Sequence, residues 1–244
     1  LIHGYISYPK KKVKGGFPLI TLVHGGPHGI RDYWSYDSEV QMLANQGYAV
    51  LRINYRGSKG YGTEFREAGF EHWGDLIQHD IIDGTRWAMQ QPDINSEKVC
   101  IMGGSFGAYS AMQSAILEPD LFKCVVASSG VYDLPLMFDE GDIPEKGWGE
   151  SYLKMVLGED KAKMRRISPA YHVSKLKAEI LIVHGEEDER TPYEQAEILM
   201  ENLEDIDKDF QHLKFEKEAH GFYADQNRAR YFEQVSEFLN KHLH

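Results

Sequence analysis

Three residues able to serve as a nucleophile, a general base and an orienting acid occur along this chain in the order Ser105, Asp188, His220. Ser105 is the centre of Gly103-Gly-Ser-Phe-Gly107, a G-x-S-x-G pattern lying where the apolar run from Val99 ends and a helix-like segment begins. Such a turn strains the serine backbone, and the residues two places to either side approach so closely that only glycine avoids a clash. The chemistry dictates the other two residue types. A serine hydroxyl is a poor nucleophile near neutral pH, so a histidine must take its proton, and a carboxylate must hold that ring in one tautomer and stabilise its cation. Acyl transfer also needs N–H donors for the oxyanion. The amide after the nucleophile, Phe106 N–H, is one, and the glycine-rich turn His24-Gly-Gly-Pro27 offers a second at Gly26.

Those residues need a scaffold that brings distant positions together. Short apolar runs at Leu19–Val23, Ala49–Ile53, Val99 to the elbow, Val125–Ser128, Ile180–Val183 and Gln211–Phe215 read as strands. Helical patterns lie between or after them at Ser38–Gln46, Gly74–Gln91, Ala108–Glu118, Tyr193–Leu203 and Arg228–Leu239. Alternation of this kind predicts an α/β fold, a mostly parallel sheet with helices on both faces and its active site at the carboxyl ends of the strands. His24-Gly25-Gly26, Ser105, Glu186-Glu-Asp188 and Glu218-Ala-His220 all fall at such ends, and the chain order is that of an α/β-hydrolase. Asp188 could instead be a charge ahead of the helix near Tyr193, and His220 a solvated loop residue; three placements agreeing at once favour the triad. His24 and His184 precede glycines at strand ends and read as loop supports. A metal pair of His24 and His28 is rejected, because Gly25, Gly26 and Pro27 forbid the helix that would align the rings. From Leu134 to about Ile167 the chain reads as an irregular, functional excursion. Tyr132 ahead of it and Trp148 within it are expected to form an apolar pocket wall near Ser105.

Composition narrows the function. The chain has 244 residues and a net charge of -11, so one large domain is expected, and nucleic acid and anionic membrane surfaces are disfavoured as partners. Cys100 and Cys124 lie in apolar runs and read as buried thiols rather than a disulfide, which leaves the compartment open with a cytoplasmic default. The chain begins at Leu1, and it is expected to be part of a longer protein.

Several motifs together resemble one family. They are His24-Gly-Gly-Pro27, Asn54-Tyr-Arg-Gly-Ser58 with Gly60-Tyr-Gly62, His72-Trp-Gly74, Gly103-Gly-Ser-Phe-Gly107, His184-Gly-Glu-Glu-Asp-Glu-Arg-Thr-Pro192 and Ala219-His-Gly221. The chain from about Leu19 to Leu239 resembles the catalytic domain of the prolyl oligopeptidase family, in its acylaminoacyl peptidase and dipeptidyl aminopeptidase-like branch. The resemblance implies that Ser105, Asp188 and His220 are the triad and that Gly26 and Phe106 give the oxyanion amides. It implies a serine peptidase acting on short peptides without a cofactor or metal. It also implies a partner, since members carry a β-propeller ahead of the hydrolase and nothing in this sequence resembles one; a second copy of the chain is the other expected protein partner. Ala108 stands where many members have glycine, a small change. The rival readings are a carboxylesterase using the same triad and a non-catalytic hydrolase fold used for binding, although the latter usually lacks a triad member.

Overall fold

The computed structural model describes residues 1–244. Seven strands form one sheet: β1 (His3–Ser7), β2 (Phe17–Val23), β3 (Ala49–Asn54), β4 (Ile94–Gly104), β5 (Cys124–Ser128), β6 (Glu179–Gly185) and β7 (Gln211–Phe215). Their spatial order is β1-β3-β2-β4-β5-β6-β7. All neighbours pair in parallel except β1, which lies antiparallel on β3 with His3 opposite Asn54. The β2–β7 part was expected from the apolar runs. β1 was not, because His-Gly-Tyr-Ile-Ser shows little alternation and becomes a strand by pairing with the edge that β3 offers.

The core has two layers, and side-chain alternation assigns residues to them. On β4 and β5, Val99, Ile101, Val125 and Ala127 face one layer, with helices α3 (Leu76–Met89), α4 (Phe106–Leu117) and α9 (Glu194–Glu204). Cys100, Met102, Cys124 and Val126 face the other, against α1 (Ser38–Asn45) and α10 (Asp225–Leu243). Helix starts follow local chemistry: the Asp37 side chain accepts from Val40 N at 3.0 Å ahead of α1, and Gly47, at φ 103°, follows its end.

Two expectations are corrected here. Cys100 and Cys124 are joined as a disulfide rather than held as free thiols. Each sits on the same face of adjacent parallel strands and pairs directly with the other, with Cα atoms 4.7 Å apart, a separation that suits the bond. Only the strand register reveals this. The segment from Leu134 to Ile167 is helical rather than irregular: α5 (Leu136–Asp139), α6 (Asp142–Glu145), α7 (Gly149–Leu157) and α8 (Lys161–Arg166) follow one another. Its glycines include breaks between helices, with Gly141 and Gly158 both at positive φ. A five-residue helix, α2 (Thr63–Glu67), and a 3₁₀ segment at Pro169–Lys175 also went unforeseen.

Candidate active site

Ser105 stands between the end of β4 and the start of α4, at φ 58° and ψ -124°. A non-glycine residue there carries backbone strain, which the surrounding contacts must hold in place. They do so tightly. Ser105 N donates to the Ser128 carbonyl at 2.9 Å on the neighbouring strand. A Cβ on Gly103 would lie 2.7 Å from the Val23 carbonyl oxygen, and one on Gly107 would strike that same atom far inside contact distance. The elbow is therefore wedged against β2, and its hydroxyl is left partly open to solvent.

Asp188 follows β6 and His220 follows β7, and the two side chains meet. His220 Nδ1 is 2.8 Å from Asp188 Oδ2 and 3.0 Å from Oδ1. With the proton on Nδ1 donated to this carboxylate, an assignment made from the hydrogen-bond pattern, Nε2 is free to accept one. Asp188 is buried, which pushes its pKa up. The hydrogen bond and charge of His220 and the Thr191 N–H outweigh that burial and hold the carboxyl below its ordinary value. Its Oδ1 accepts from Arg190 N at 3.0 Å and Thr191 N at 2.9 Å.

Three supports of this pair were not singled out from the sequence. The Thr191 hydroxyl lies 2.9 Å from Asp188 Oδ2 and 3.2 Å from His220 Nδ1. The Glu218 carboxylate accepts from Tyr223 N, Ala224 N and Asn227 Nδ2 at 2.8–3.0 Å, fastening the loop that carries His220. Gly185 lets the two loops touch, since a Cβ there would run into the Glu218 carbonyl, and Glu187 N donates to that carbonyl at 3.0 Å. The available signal was spacing: Thr three residues after Asp, and Glu two before His, are short-range bonding patterns. His24 and His184 are loop supports. His24 bonds the Gly25 carbonyl at 2.7 Å and the Ser58 hydroxyl at 3.0 Å, and His184 bonds the Thr191 carbonyl at 2.8 Å. Burial pushes the His24 ring down to about 4, so it stays neutral.

Ser105, Phe106, Gly26 and His220 all line one cavity of about 410 Å³. Phe106 is the first residue of α4, where an N–H has no intrahelical acceptor. Gly25 rests on the elbow, its absent Cβ being 3.4 Å from the Ser105 Cβ. Much of the rest of the wall is apolar, including Val131, Ile143, Trp148 and Tyr152, while Arg190 and Thr191 add polar groups at its side. Trp148 is 61% exposed and meets Tyr152 edge-on at 5.9 Å. Tyr132, expected beside it, is absent from this wall and fully buried. Gln195 Oε1 accepts from its N–H at 2.8 Å, and its ring packs over Gly130 in the core. His28 and Trp73 join the cavity instead, with Trp73 Nε1 donating to His28 Nε2 at 3.3 Å. The Ser105 hydroxyl caps no helix N–H and makes no hydrogen bond to His220, whose ring bonds Asp188 and Thr191 through Nδ1; a serine–histidine bond of this type often forms only when substrate fills the site.

A strained serine at a strand-to-helix turn, with an aspartate and a histidine from later strand ends, defines an α/β-hydrolase. The chain belongs to the prolyl oligopeptidase family, whose model matches residues 34–244. It is 31% identical to the dipeptidyl aminopeptidase BIII of Pseudoxanthomonas mexicana over 96% of this chain and 36% of that protein. It is 27% identical to the acylamino-acid-releasing enzyme of Arabidopsis thaliana over 98% of this chain and 32% of that one. Among solved structures it matches an acylaminoacyl peptidase in complex with Z-Gly-Gly-Phe-chloromethyl ketone. The TM-score is 0.91 at 29% identity, over 99% of this chain and 40% of that chain. The chain thus spans about a third of the length of the curated relatives it matches.

Proposed function

We propose that this chain is the catalytic domain of a serine peptidase that cleaves peptides through an acyl-enzyme on Ser105. The observation that carries the reading is the His220–Asp188 pair at 2.8 Å, on the same cavity as Ser105. In the proposed cycle His220 Nε2 takes the Ser105 proton as Oγ attacks the scissile carbonyl, then gives it to the leaving nitrogen as the C–N bond breaks. Water attacks the ester next, again with His220 as base, and returns the serine. The N–H groups of Phe106 and Gly26 stabilise the negative oxygen; Gly26 N makes no backbone hydrogen bond within the protein and is free for this use. The apolar cavity takes the side chain before the cut. Its aromatic wall suits a large apolar residue, in keeping with the phenylalanine next to the reactive carbon in the inhibitor bound by the solved relative. On this reading Trp148→Ala changes the ranking of Phe, Leu and Ala substrates at that position while Tm moves little, because the ring is mostly in solvent. A large fall in Tm with an unaltered ranking would return Trp148 to a packing role.

The short relative length supports a second domain in the complete protein, which we take to be the family's β-propeller over the strand-end face. Without it, water reaches the site and weakens the oxyanion bonds, and peptide contacts are lost. Amide cleavage needs a well-placed leaving nitrogen, whereas an activated ester does not. Comparing kcat/KM for an ester and an amide of one acyl group tests the reading. This chain alone is expected to favour the ester strongly, and fusion to the propeller is expected to raise the amide-to-ester ratio. A ratio unmoved by fusion would assign specificity to the hydrolase domain itself, and amide cleavage absent in both forms would leave an esterase.

A further inference from the structure

Ser105 and His220 also line a second cavity, of about 310 Å³, and they are the only residues it shares with the first. Its wall comes mainly from the opposite face of the sheet: Leu22, Met102, Phe222 and Phe232 supply apolar surface, and Glu39 on α1 and Tyr231 on α10 supply polar groups. Two groups on this wall have bonding capacity that the protein leaves unused. Ser129 sits at a left-handed φ of 47°, is 6% exposed, and its hydroxyl has no hydrogen-bond partner. A buried hydroxyl left unpaired costs stability, because it has given up its bonds to water without replacing them. The Glu39 carboxylate accepts only from the Tyr231 hydroxyl, at 3.3 Å, and that hydroxyl lies 3.4 Å from Ser128 Oγ. Arg228 reaches the same cavity, but Asp225 holds its guanidinium at 2.6 Å. Burial, with Asp37 nearby, pushes the Glu39 carboxyl up to about 7, and no cation offsets it.

An acyl-transfer site divides its substrate in two. The acyl half stays on Ser105, and the amine half leaves from beside His220, which protonates it. If the acyl side chain fills the apolar cavity, the space on the other side of the same two residues faces the amine half. Apolar walls accept an aliphatic stem, and a half-buried carboxylate without a cation gains most from a positive tip. We propose that this second cavity is a leaving-group subsite selecting Lys or Arg directly after the cut bond. Glu39 is its recognising carboxylate, and Ser129 Oγ is a hydrogen-bond partner for the same segment. The inference rests on the acyl-enzyme reading of Ser105.

Acyl transfer run backwards tests it without requiring efficient peptide cleavage. An activated p-nitrophenyl ester with an apolar acyl group loads Ser105 and releases p-nitrophenol. An added amine then competes with water: its nitrogen attacks the acyl carbon, the Ser105 ester bond breaks, His220 moves the proton from nitrogen to Ser105 Oγ, and a new amide is released. The probes are lysinamide, norleucinamide and the α-amide of glutamic acid, near pH 8 where about half or more of the α-amine is free. Lysinamide is expected to capture the acyl group about fivefold better than norleucinamide, which has the same stem without the charge. Glu39→Gln should bring that ratio to about one, and Glu39→Lys should turn it toward the glutamic acid amide. Because each value is a ratio within one protein sample, partial loss of folded material cancels. Equal capture of the two amines by the unaltered chain, or a lysine preference that survives Glu39→Gln, overturns the subsite while leaving the acyl-enzyme intact. Failure to load Ser105 at all removes the acyl-enzyme reading and this inference with it.

Discussion

Ser105→Ala and His220→Ala are each expected to lower kcat by a large factor, on the order of 10⁴ to 10⁶, and the double variant is expected to be hardly worse than either. The reason is that the groups act as one unit. Without the imidazole the hydroxyl keeps its proton, and without the hydroxyl the imidazole has nothing to activate. Asp188→Asn is expected to be severe as well: an amide N–H facing His220 Nδ1 favours the proton on Nε2, the atom that must be free to accept it. The loop that carries position 220 stays fastened by Glu218 in each of these variants, so folding should survive and circular dichroism should match the parent. A fluorophosphonate probe should label Ser105 and no other residue. Labelling that persists in Ser105→Ala, or losses that simply multiply in the double variant, would show that these residues do not share a mechanism.

Gly107→Ala is expected to cost about 3 kcal/mol or more, through overpacking at a site with no room to relax. The added methyl would meet the Val23 carbonyl, a backbone atom held in the β2 ladder beside β4, rather than a side chain able to turn away. For a domain of this size that is a fall in Tm of about 10 °C. Because the collision pushes on the turn carrying Ser105, the folded fraction should also label slowly with the fluorophosphonate. Ala108→Gly, one residue on, removes a buried methyl from α4 and should cost only about 1 kcal/mol. Scanning calorimetry of the two variants checks the contrast. Parent-like stability and labelling in Gly107→Ala would mean that the elbow is not wedged against β2.

The amino-acid sequence by itself determined what depends on neighbours along the chain. G-x-S-x-G specifies a tight turn because the steric demand falls on residues two places away, so Ser105 could be placed on an elbow without knowing what lies beside it. Apolar runs of strand length alternating with amphipathic helices imposed a parallel sheet, and with it the gathering of Ser105, Asp188 and His220 at one edge. Tertiary structure decided what depends on partners far along the chain. Whether Cys100 and Cys124 meet is set by the β4–β5 register, which no local pattern encodes. Tyr132 and Trp148 were equal candidates for the pocket, yet the hydrogen bond from the Tyr132 N–H to Gln195 turns one into the core, while helix α7 holds the other at the opening. The His-Gly-Tyr-Ile-Ser segment became a strand only because β3 had an unpaired edge. Glu39 lies in the first turn of α1, where nothing in its sequence neighbours marks it; the packing of α1 and α10 against the same sheet face placed it on the wall behind the nucleophile. Periodicity and turn chemistry act over a few residues, whereas register, burial and shared cavities exist only once the layers have closed on one another.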